Sequence, residues 1–169
     1  MPSLSQPRTT HLGRKTEADR FYLSLALEER RNSDDPKAAL VPQSGVGAVI
    51  AGPQGVIAQS ANVLPPPLKL HQTAQGRLVS EEERYHFIEH AERAVILKAL
   101  TSQQTLHGAT IYCTRFPCSD CARAIVWSGI QRAVFAAGYS GEAHWLESQR
   151  AALHILRRAS VTVRIFKAR

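Results

Sequence analysis

The sequence predicts an α/β fold in one domain, and three observations support that prediction. Helical and strand-like apolar patterns alternate along residues 90–166. Before them, a turn sequence separates two β-rich stretches within residues 45–60. The chain has 169 residues with 44% hydrophobic content. A chain of this size buries about two-thirds of its unfolded surface, which suits a single core.

Residues 1–14 differ in composition from the rest of the chain. They are rich in Ser, Thr, Pro and basic residues and lack the apolar stretch of a secretory signal. We expect a disordered arm there, followed by one domain over residues 15–169. No apolar run approaches the roughly 20 residues of a membrane span, so we also expect a cytoplasmic protein.

The first half of the chain predicts a helix, a hairpin and a loop. The helix covers residues 16–32, with Thr16 as a candidate N-cap. The hairpin has strands at residues 45–51 and 55–60, because the intervening Gly-Pro-Gln-Gly has turn chemistry. Residues 62–88 show little periodicity, and a loop of that length is usually functional or disordered.

From residue 90 onward the pattern is clearer. It predicts helices from His90 and over residues 118–129 and 142–159, with strands at residues 108–115, 131–138 and 160–166. Strands joined by helices usually pair in parallel. We therefore expect a sheet that is largely parallel in this half.

Charge and cysteine content limit the chemistry. The net charge of +7 favours phosphate-bearing partners, although it is equally compatible with simple solubility. Three cysteines cannot all pair, and Cys118 and Cys121 have Cys-x-x-Cys spacing. In a reducing compartment this spacing favours metal binding or redox chemistry over a disulfide framework.

His90, Cys118 and Cys121 are the candidate metal ligands. Catalytic zinc typically takes three ligands from His, Cys and carboxylates and leaves a fourth position to water. His90 and Cys118 each fall at a predicted helix start, and Cys121 lies one turn after Cys118. Helix N-termini favour anions, so this placement favours thiolates.

Glu92, two residues after His90, is the candidate catalytic residue. Zinc lowers the pKa of a bound water toward about 7, so that the water can attack a ring carbon that carries an amine. A carboxylate must then carry protons to the neighbouring ring nitrogen and to the amine, which departs as ammonia. His-x-Glu followed by Pro-Cys-x-x-Cys is the signature of zinc deaminases, and it occurs here as HAE and PCSDC.

Other interpretations of these motifs remain. A single Cys-x-x-Cys can be a redox pair or half of a zinc ribbon, but a ribbon needs a second pair. The third cysteine, Cys113, lies in an apolar strand and is expected to be buried. Several further histidines are predicted to be non-ligands: His71, His86, His107, His144 and His154.

With these motifs identified, the stretch from Phe21 to Phe166 resembles the cytidine and deoxycytidylate deaminase superfamily, most closely its zinc-dependent deoxycytidylate (dCMP) branch. IEHAERAVI at residues 88–96 and FPCSDCARAIVWSGIQRAVF at residues 116–135 carry the resemblance most strongly, with NSDDP, GVGAVI and Asn62 as weaker matches. The resemblance implies a three-layer α/β/α cytidine-deaminase-like fold with a mixed five-stranded sheet. It also implies Zn²⁺ as cofactor and a homo-oligomer.

The resemblance also assigns residues to the substrate. The implied substrate contacts are Asn62, Gly47, Ala48, Ala91, Phe116 and Tyr139. Asn62 would bind the sugar or base, although it also suits a turn before the proline block. Phe116 or Tyr139 would pack on the ring, although core packing explains either one as well.

Residues next to the ligands complete the prediction. Arg93 and Pro117 would support the metal ligands, with Arg93 hydrogen-bonded to the thiolates, although Arg93 also suits a solvated helix position. Ala94 stands where the deoxycytidylate branch usually has Asn, which removes a polar contact. Several cations of the long loop are candidates to approach a phosphate or to be merely solvated: Lys69, Arg77 and Arg84.

The leading functional hypothesis is zinc-dependent hydrolysis of dCMP, or of a close cytosine nucleotide or nucleoside. Rival enzymes are a purine-base deaminase and a deaminase of single-stranded nucleic acid. The second rival is less favoured because aromatic residues are only 7% of the chain, without a clear basic-aromatic stripe. A zinc-stabilised nucleotide-binding module is the non-enzyme alternative, and Glu92 argues against it.

Overall fold

The computed structural model describes residues 9–70, 76 and 78–166, with side chains from residue 17 onward except residue 70. The helices are α1 (Thr9–Glu29), α2 (Pro36–Leu40), α3 (Arg84–Phe87), α4 (Ala91–Thr101), α5 (Ser119–Trp127) and α6 (Ala143–Arg158). The strands are β1 (Gly47–Gly52), β2 (Gly55–Ala61), β3 (Thr110–Cys113), β4 (Arg132–Phe135) and β5 (Thr162–Ile165). Short 3₁₀ turns occupy Arg30–Asn32, Pro42–Ser44 and Pro66–Leu70.

The strands form one mixed five-stranded sheet in the order β2-β1-β3-β4-β5. β1 is antiparallel to both β2 and β3, whereas β3, β4 and β5 are parallel. The predicted hairpin and the predicted parallel half are therefore both confirmed. The α/β class with a mixed five-stranded sheet is confirmed as well.

Side-chain alternation along the strands divides the core into two layers. Ile50 and Ile111 lie on one face of the sheet in the larger core, which α4, α5 and α6 cover. Their neighbours Val49 and Tyr112 lie on the other face, in a smaller core that α1 covers. Period-two alternation of apolar residues on both faces is what a sheet between two helical layers requires.

Helix α1 lies very close to β1. A Cβ placed on Gly47 would stand 2.0 Å from the Ala26 carbonyl oxygen, so only glycine permits this approach. α1 begins at Thr9, so residues 9–14 of the predicted arm are helical in the structure. Residues 1–8 lie outside the described part of the chain.

A buried carboxylate also joins α1 to the sheet. Asp19 is 1% exposed and accepts hydrogen bonds from Arg132 at 2.8 and 2.7 Å and from Arg164 at 2.8 Å. These arginines belong to β4 and β5, so a single carboxylate connects the N-terminal helix to the parallel half of the sheet. Buried charges are tolerated when they are paired in this way.

The long segment between β2 and α4 is only partly irregular. Leu64, Val79 and Ile88 form a small apolar cluster of their own, and Val63 pairs with Glu89 in a β-bridge. Residues 71–75 and 77, which include His71 and Arg77, lie outside the described residues. The bridge sets the position at which the chain enters α4.

Within residues 9–70, 76 and 78–166, no helix combines the length and apolarity needed to cross a membrane.

We predict that Asp19→Ala lowers the free energy of unfolding by about 3 kcal/mol, because it removes the buried carboxylate that accepts hydrogen bonds from Arg132 and Arg164. Urea unfolding followed by circular dichroism measures this loss. Glu17→Ala, on an exposed position of the same helix, is the control. Equal stability of the two variants would contradict a structural role for Asp19.

Candidate active site

The three predicted ligands lie at the beginnings of two neighbouring helices. His90 is the N-cap of α4 and Cys118 is the N-cap of α5, while Cys121 lies in the first turn of α5. α4 and α5 pack against each other beneath the sheet, so their N-termini face a common point. The sequence places His90 and Cys118 28 residues apart, and the fold brings them into contact.

The distances between these donor atoms suit a zinc ion. The Nδ1 atom of His90 lies 3.6 Å from the Cys118 sulfur and 3.4 Å from the Cys121 sulfur. Ligands of a tetrahedral zinc, with bonds of about 2.0 and 2.3 Å, are separated by roughly 3.5 Å. All three donor atoms lie within 4.8 Å of one another. The residues present therefore fit the metal that the sequence predicted.

Proton sharing in this group produces one stabilised thiolate. A hydrogen bond from Cys121 lowers the pKa of Cys118 to about 4. The same hydrogen bond with Cys118 raises the pKa of Cys121, which is also buried. A hydrogen bond with Cys118 likewise raises the pKa of His90. Cys118 therefore favours the thiolate, which is the form of cysteine that binds a metal cation.

Glu92 lies beside the ligand group and is 4% exposed. It belongs to the first turn of α4, two residues after His90. Burial raises the pKa of its carboxyl above the ordinary value, and the charge of His90 opposes that shift. Cys113 is also fully buried, and burial raises the pKa of its thiol. As predicted, Cys113 lies in the core.

A cavity of about 540 Å³ opens onto this group. Its walls come from residues 35–46, Asn62 and residues 84–92, 115–118 and 137–149. This volume lies within the range of small-molecule sites, about 300–1,000 Å³. The cavity is large enough for a nucleotide-sized ligand.

Four of the predicted substrate contacts line the cavity: Asn62, Ala91, Phe116 and Tyr139. The other two, Gly47 and Ala48, are not among the described residues that line it. Gly47 faces α1, and Ala48 is fully buried in the larger core. Ser44 and Val46, just before them, form that part of the wall instead.

The aromatic residues of the cavity contact each other. The ring of Phe116 lies 5.0 Å from that of Tyr139, edge to face, and 4.9 Å from that of Phe135. Phe116 is almost fully buried whereas Tyr139 is 42% exposed. Phe116 thus serves both the core and the cavity wall, and Tyr139 belongs mainly to the wall.

Arg93 contacts carboxylates rather than the cysteine sulfurs. Its Nε donates to Glu89 at 2.6 Å, and its guanidinium lies 3.7 Å from Asp120. Burial lowers the pKa of Arg93, but the hydrogen bond with Glu89 and the charge of the two cysteines together raise it. The predicted hydrogen bonds to the thiolates are therefore not among its described contacts. Pro117, which directly precedes Cys118 in the sequence, is fully buried.

Ala94 is buried on α4, and it is not one of the described residues that line the cavity. Its backbone N–H donates to the His90 carbonyl at 2.8 Å and so begins the helix. The polar side chain that the deoxycytidylate branch usually has here is thus replaced by a buried methyl group.

The cations around the cavity differ in how they are paired. Arg84 donates to both carboxylate oxygens of Asp35, at 2.7 and 2.6 Å, and lies over the ring of Tyr85. Lys69 forms an ion pair with Asp34 at 2.7 Å. Arg115, just before Phe116, is an exposed cavity residue that the sequence did not single out.

The sequence prediction also missed the contribution of α6. Trp145 and Gln149 line the cavity from this helix, and the ring of Trp145 lies 5.9 Å from that of His90. One signal was available in the sequence. Gln149 shares a helical stripe with Ala152 and Leu156, both fully buried, so a polar residue interrupts an apolar face.

The comparisons with known proteins agree with this site. A family model described as the cytidine and deoxycytidylate deaminase zinc-binding region matches residues 16–137. Deoxycytidylate deaminase of Mus musculus is 27% identical over 152 residues, which cover 86% of this chain and 78% of that protein. The tRNA-specific adenosine deaminase of Bacillus subtilis is 32% identical over 121 residues, covering 70% of this chain and 62% of that protein.

Solved structures agree on the fold. A dCMP deaminase from the cyanophage S-TIM5, in apo form, has a TM-score of 0.63 at 19% identity and covers 88% of this chain and 97% of that chain. A deaminase/reductase from Thermotoga maritima has a TM-score of 0.61, also at 19% identity, covering 89% of this chain and 36% of that one.

The chain therefore belongs to the cytidine and deoxycytidylate deaminase zinc-binding family. Within that family it is a zinc-dependent hydrolytic deaminase, and His90, Cys118 and Cys121 are positioned for the metal. Both the predicted enzyme class and the predicted Zn²⁺ cofactor are confirmed.

We predict that Cys118→Ser abolishes stoichiometric zinc binding, because a neutral hydroxyl replaces a thiolate ligand. Metal analysis of the purified protein by inductively coupled plasma mass spectrometry measures the loss. Cys113→Ala is the control and keeps about one zinc per chain, since its thiol is not part of the ligand group. Full zinc occupancy in Cys118→Ser would contradict the assignment.

Proposed function

We propose that this protein hydrolyses the exocyclic amine of a cytosine nucleotide, with dCMP converted to dUMP and ammonia. The observation that carries the proposal is the buried Glu92 carboxyl beside His90, Cys118 and Cys121 at the end of a nucleotide-sized cavity. The dCMP deaminases among its relatives support the choice of substrate.

In this proposal His90, Cys118 and Cys121 hold zinc. When bound, zinc supplies the Lewis acidity that activates a water molecule for attack on the ring carbon bearing the amine. The three protein ligands leave one position of a tetrahedral ion for that chemistry, as catalytic zinc sites do.

Glu92 carries the protons. Its carboxylate accepts a proton from the attacking water and delivers it to the adjacent ring nitrogen. It then passes the remaining proton of that water to the amine, which leaves as ammonia. One water is consumed and one ammonia is released. Burial raises the pKa of Glu92, which keeps the carboxyl able both to hold and to release a proton.

Asn62 and the aromatic pair position the substrate. The Asn62 Oδ1 accepts from the Val46 N–H at 2.8 Å, which fixes the orientation of the amide. The Nδ2 group lies 3.5 Å from Asp35, which also lines the cavity, and in this proposal it is a donor for the sugar or base. Phe116 and Tyr139 provide the apolar surface against which a pyrimidine ring packs.

The charges of the cavity favour a nucleotide over a nucleoside. Arg84 is neutralised by Asp35, but Lys37 and Arg115 also line the cavity. Neither of these two has an ion-pair partner within the part of the chain that the structure describes. A substrate phosphate would be the anionic partner that Lys37 and Arg115 lack.

A substrate panel tests the proposal. The zinc-loaded protein is incubated with dCMP, cytidylate, deoxycytidine, cytidine, adenine, guanine and single-stranded DNA, and ammonia release is followed. We expect turnover of dCMP and a 10²- to 10⁴-fold lower kcat in Glu92→Gln, which keeps the size of the side chain but cannot exchange protons. Metal analysis confirms that the variant retains zinc.

Each alternative has its own outcome in this panel. Turnover of nucleosides or purines alone would keep the mechanism and overturn the substrate. Turnover of single-stranded DNA alone would favour the nucleic-acid alternative, and silence with bound zinc would favour a nucleotide-binding module. Full activity in Glu92→Gln would contradict the role given to that residue.

We predict that Arg115→Ala raises KM for dCMP about tenfold or more, because a charge-assisted contact with the phosphate is lost. KM for deoxycytidine, which has no phosphate, should stay unchanged. Steady-state kinetics with both substrates measure the difference. Arg123→Ala, at an exposed position of α5 paired with Asp120, is the matched control and should change neither value.

The proposal includes self-association of the chain. Leu97 and Leu100 of α4 and Trp127 at the end of α5 are apolar and exposed, with Trp127 94% exposed. Exposed apolar residues on adjoining helices are typical of subunit interfaces. Light scattering on the purified protein measures the mass of the assembly, and a monomer at all concentrations would contradict this part.

The cytoplasm is the proposed compartment. All three cysteines are free in the structure, and two of them belong to the metal group. Thiols of this kind persist in a reducing environment, which supports a cytoplasmic location.

A further inference from the structure

One face of α6 contacts the site from outside the region that the family model matches. The match ends at residue 137, whereas α6 begins at Ala143. Trp145, Ser148 and Gln149 have the spacing i, i+3, i+4 and therefore share a face of this helix. Each of the three contacts a segment that borders the cavity or carries a metal ligand.

Ser148 contacts the first residue of α5. Its hydroxyl accepts the Ser119 backbone N–H at 2.9 Å, and the two hydroxyl oxygens are 3.1 Å apart. The first N–H groups of a helix have no partner within the helix, and the side chain of Cys118, the N-cap, makes no capping hydrogen bond. A residue of α6 therefore supplies the cap that Cys118 does not, directly beside a metal ligand.

Gln149 joins two segments of the cavity wall. Its Nε2 donates to the Phe116 carbonyl at 3.3 Å, and its Oε1 accepts from the Ser140 N–H at 2.8 Å. Gln149 is 5% exposed, so the amide is held in one orientation by partners on both sides. One bond reaches the segment before Cys118, and the other reaches the segment that presents Tyr139.

The docking of α6 does not require an amide at this position. Ala152 and Leu156, on the same stripe, are fully buried in the larger core and attach the helix to the sheet. A buried amide in an apolar stripe costs free energy unless its hydrogen bonds are made, and an apolar side chain of the same size would pack there without that cost. The amide therefore serves the two segments it joins rather than the helix itself.

We propose that Ser148 and Gln149 are positioning residues of the active site. Their two hydrogen bonds bracket the segment from Phe116 to Ser119 and fix the place of Cys118 relative to His90. The second hydrogen bond of Gln149 fixes the Tyr139 segment relative to Phe116. The consequence for substrate rests on the proposed function, whereas the consequence for metal binding does not.

Two variants separate these consequences. Ser148→Ala removes the acceptor for Ser119, and Gln149→Met removes both hydrogen bonds of the amide at similar volume. We expect each to weaken zinc affinity about tenfold in chelator competition, the lower end of the range for groups that support metal ligands. In steady-state kinetics only Gln149→Met should also raise KM, because it alone releases the Tyr139 segment.

Controls distinguish positioning from general destabilisation. Leu156→Ala destabilises the same helix at a buried position but removes no hydrogen bond to either segment, so it should lower the melting temperature and leave zinc affinity unchanged. Ser148→Thr keeps the hydroxyl and should restore zinc affinity.

The measurement of zinc affinity does not depend on the substrate. It therefore tests the positioning role of Ser148 and Gln149 even if dCMP is not turned over. Unchanged zinc affinity in both Ser148→Ala and Gln149→Met would overturn the proposal. An equal loss of affinity in Leu156→Ala would overturn it as well.

Discussion

The convergence of two helix N-termini at one point is the constraint on which the rest of this structure depends. His90 precedes α4 and Cys118 precedes α5, and packing of both helices on the same face of the sheet brings their caps into contact. The helix dipoles direct partial positive charge toward the thiols, which favours the thiolate form. The lone pairs of the sulfur and imidazole donor atoms can then bind a cation. Glu92 is buried by the same arrangement. A different order of strands would separate these residues, so the sheet topology is a condition of the chemistry.

The cavity in front of this group combines apolar and charged surfaces in a way that suits one class of ligand. Phe116 and Tyr139 offer an apolar wall close to Glu92. Charged residues also line the cavity, where Asp35 neutralises Arg84 but Arg115 keeps its charge. A flat heterocycle with an attached phosphate matches both surfaces. Net basic charge of the whole chain, +7, adds long-range attraction for such an anion.

Much of the fold was predictable because its signals are local. The turn at residues 52–55 and the alternation of helices and strands after residue 90 are determined by patterns of neighbouring residues. The zinc signature identified the ligand group. The contribution of α6 to the cavity wall was not predictable, because it depends on contacts between Gln149 and residues far away in the chain. Gly47 was assigned to the cavity, whereas its missing side chain permits the approach of α1. Such contacts are set by packing between elements, which a single sequence does not display.

The zinc X-ray absorption spectrum of the purified protein tests most directly whether the metal site is open for catalysis. We expect two sulfur ligands from Cys118 and Cys121, one imidazole nitrogen from His90, and one further light atom that exchanges with solvent or with an added inhibitor. That result would establish an open site next to Glu92, as hydrolysis requires. Four protein ligands that do not change on addition of ligand would contradict an open catalytic site, because a closed site is structural and leaves Glu92 without a role.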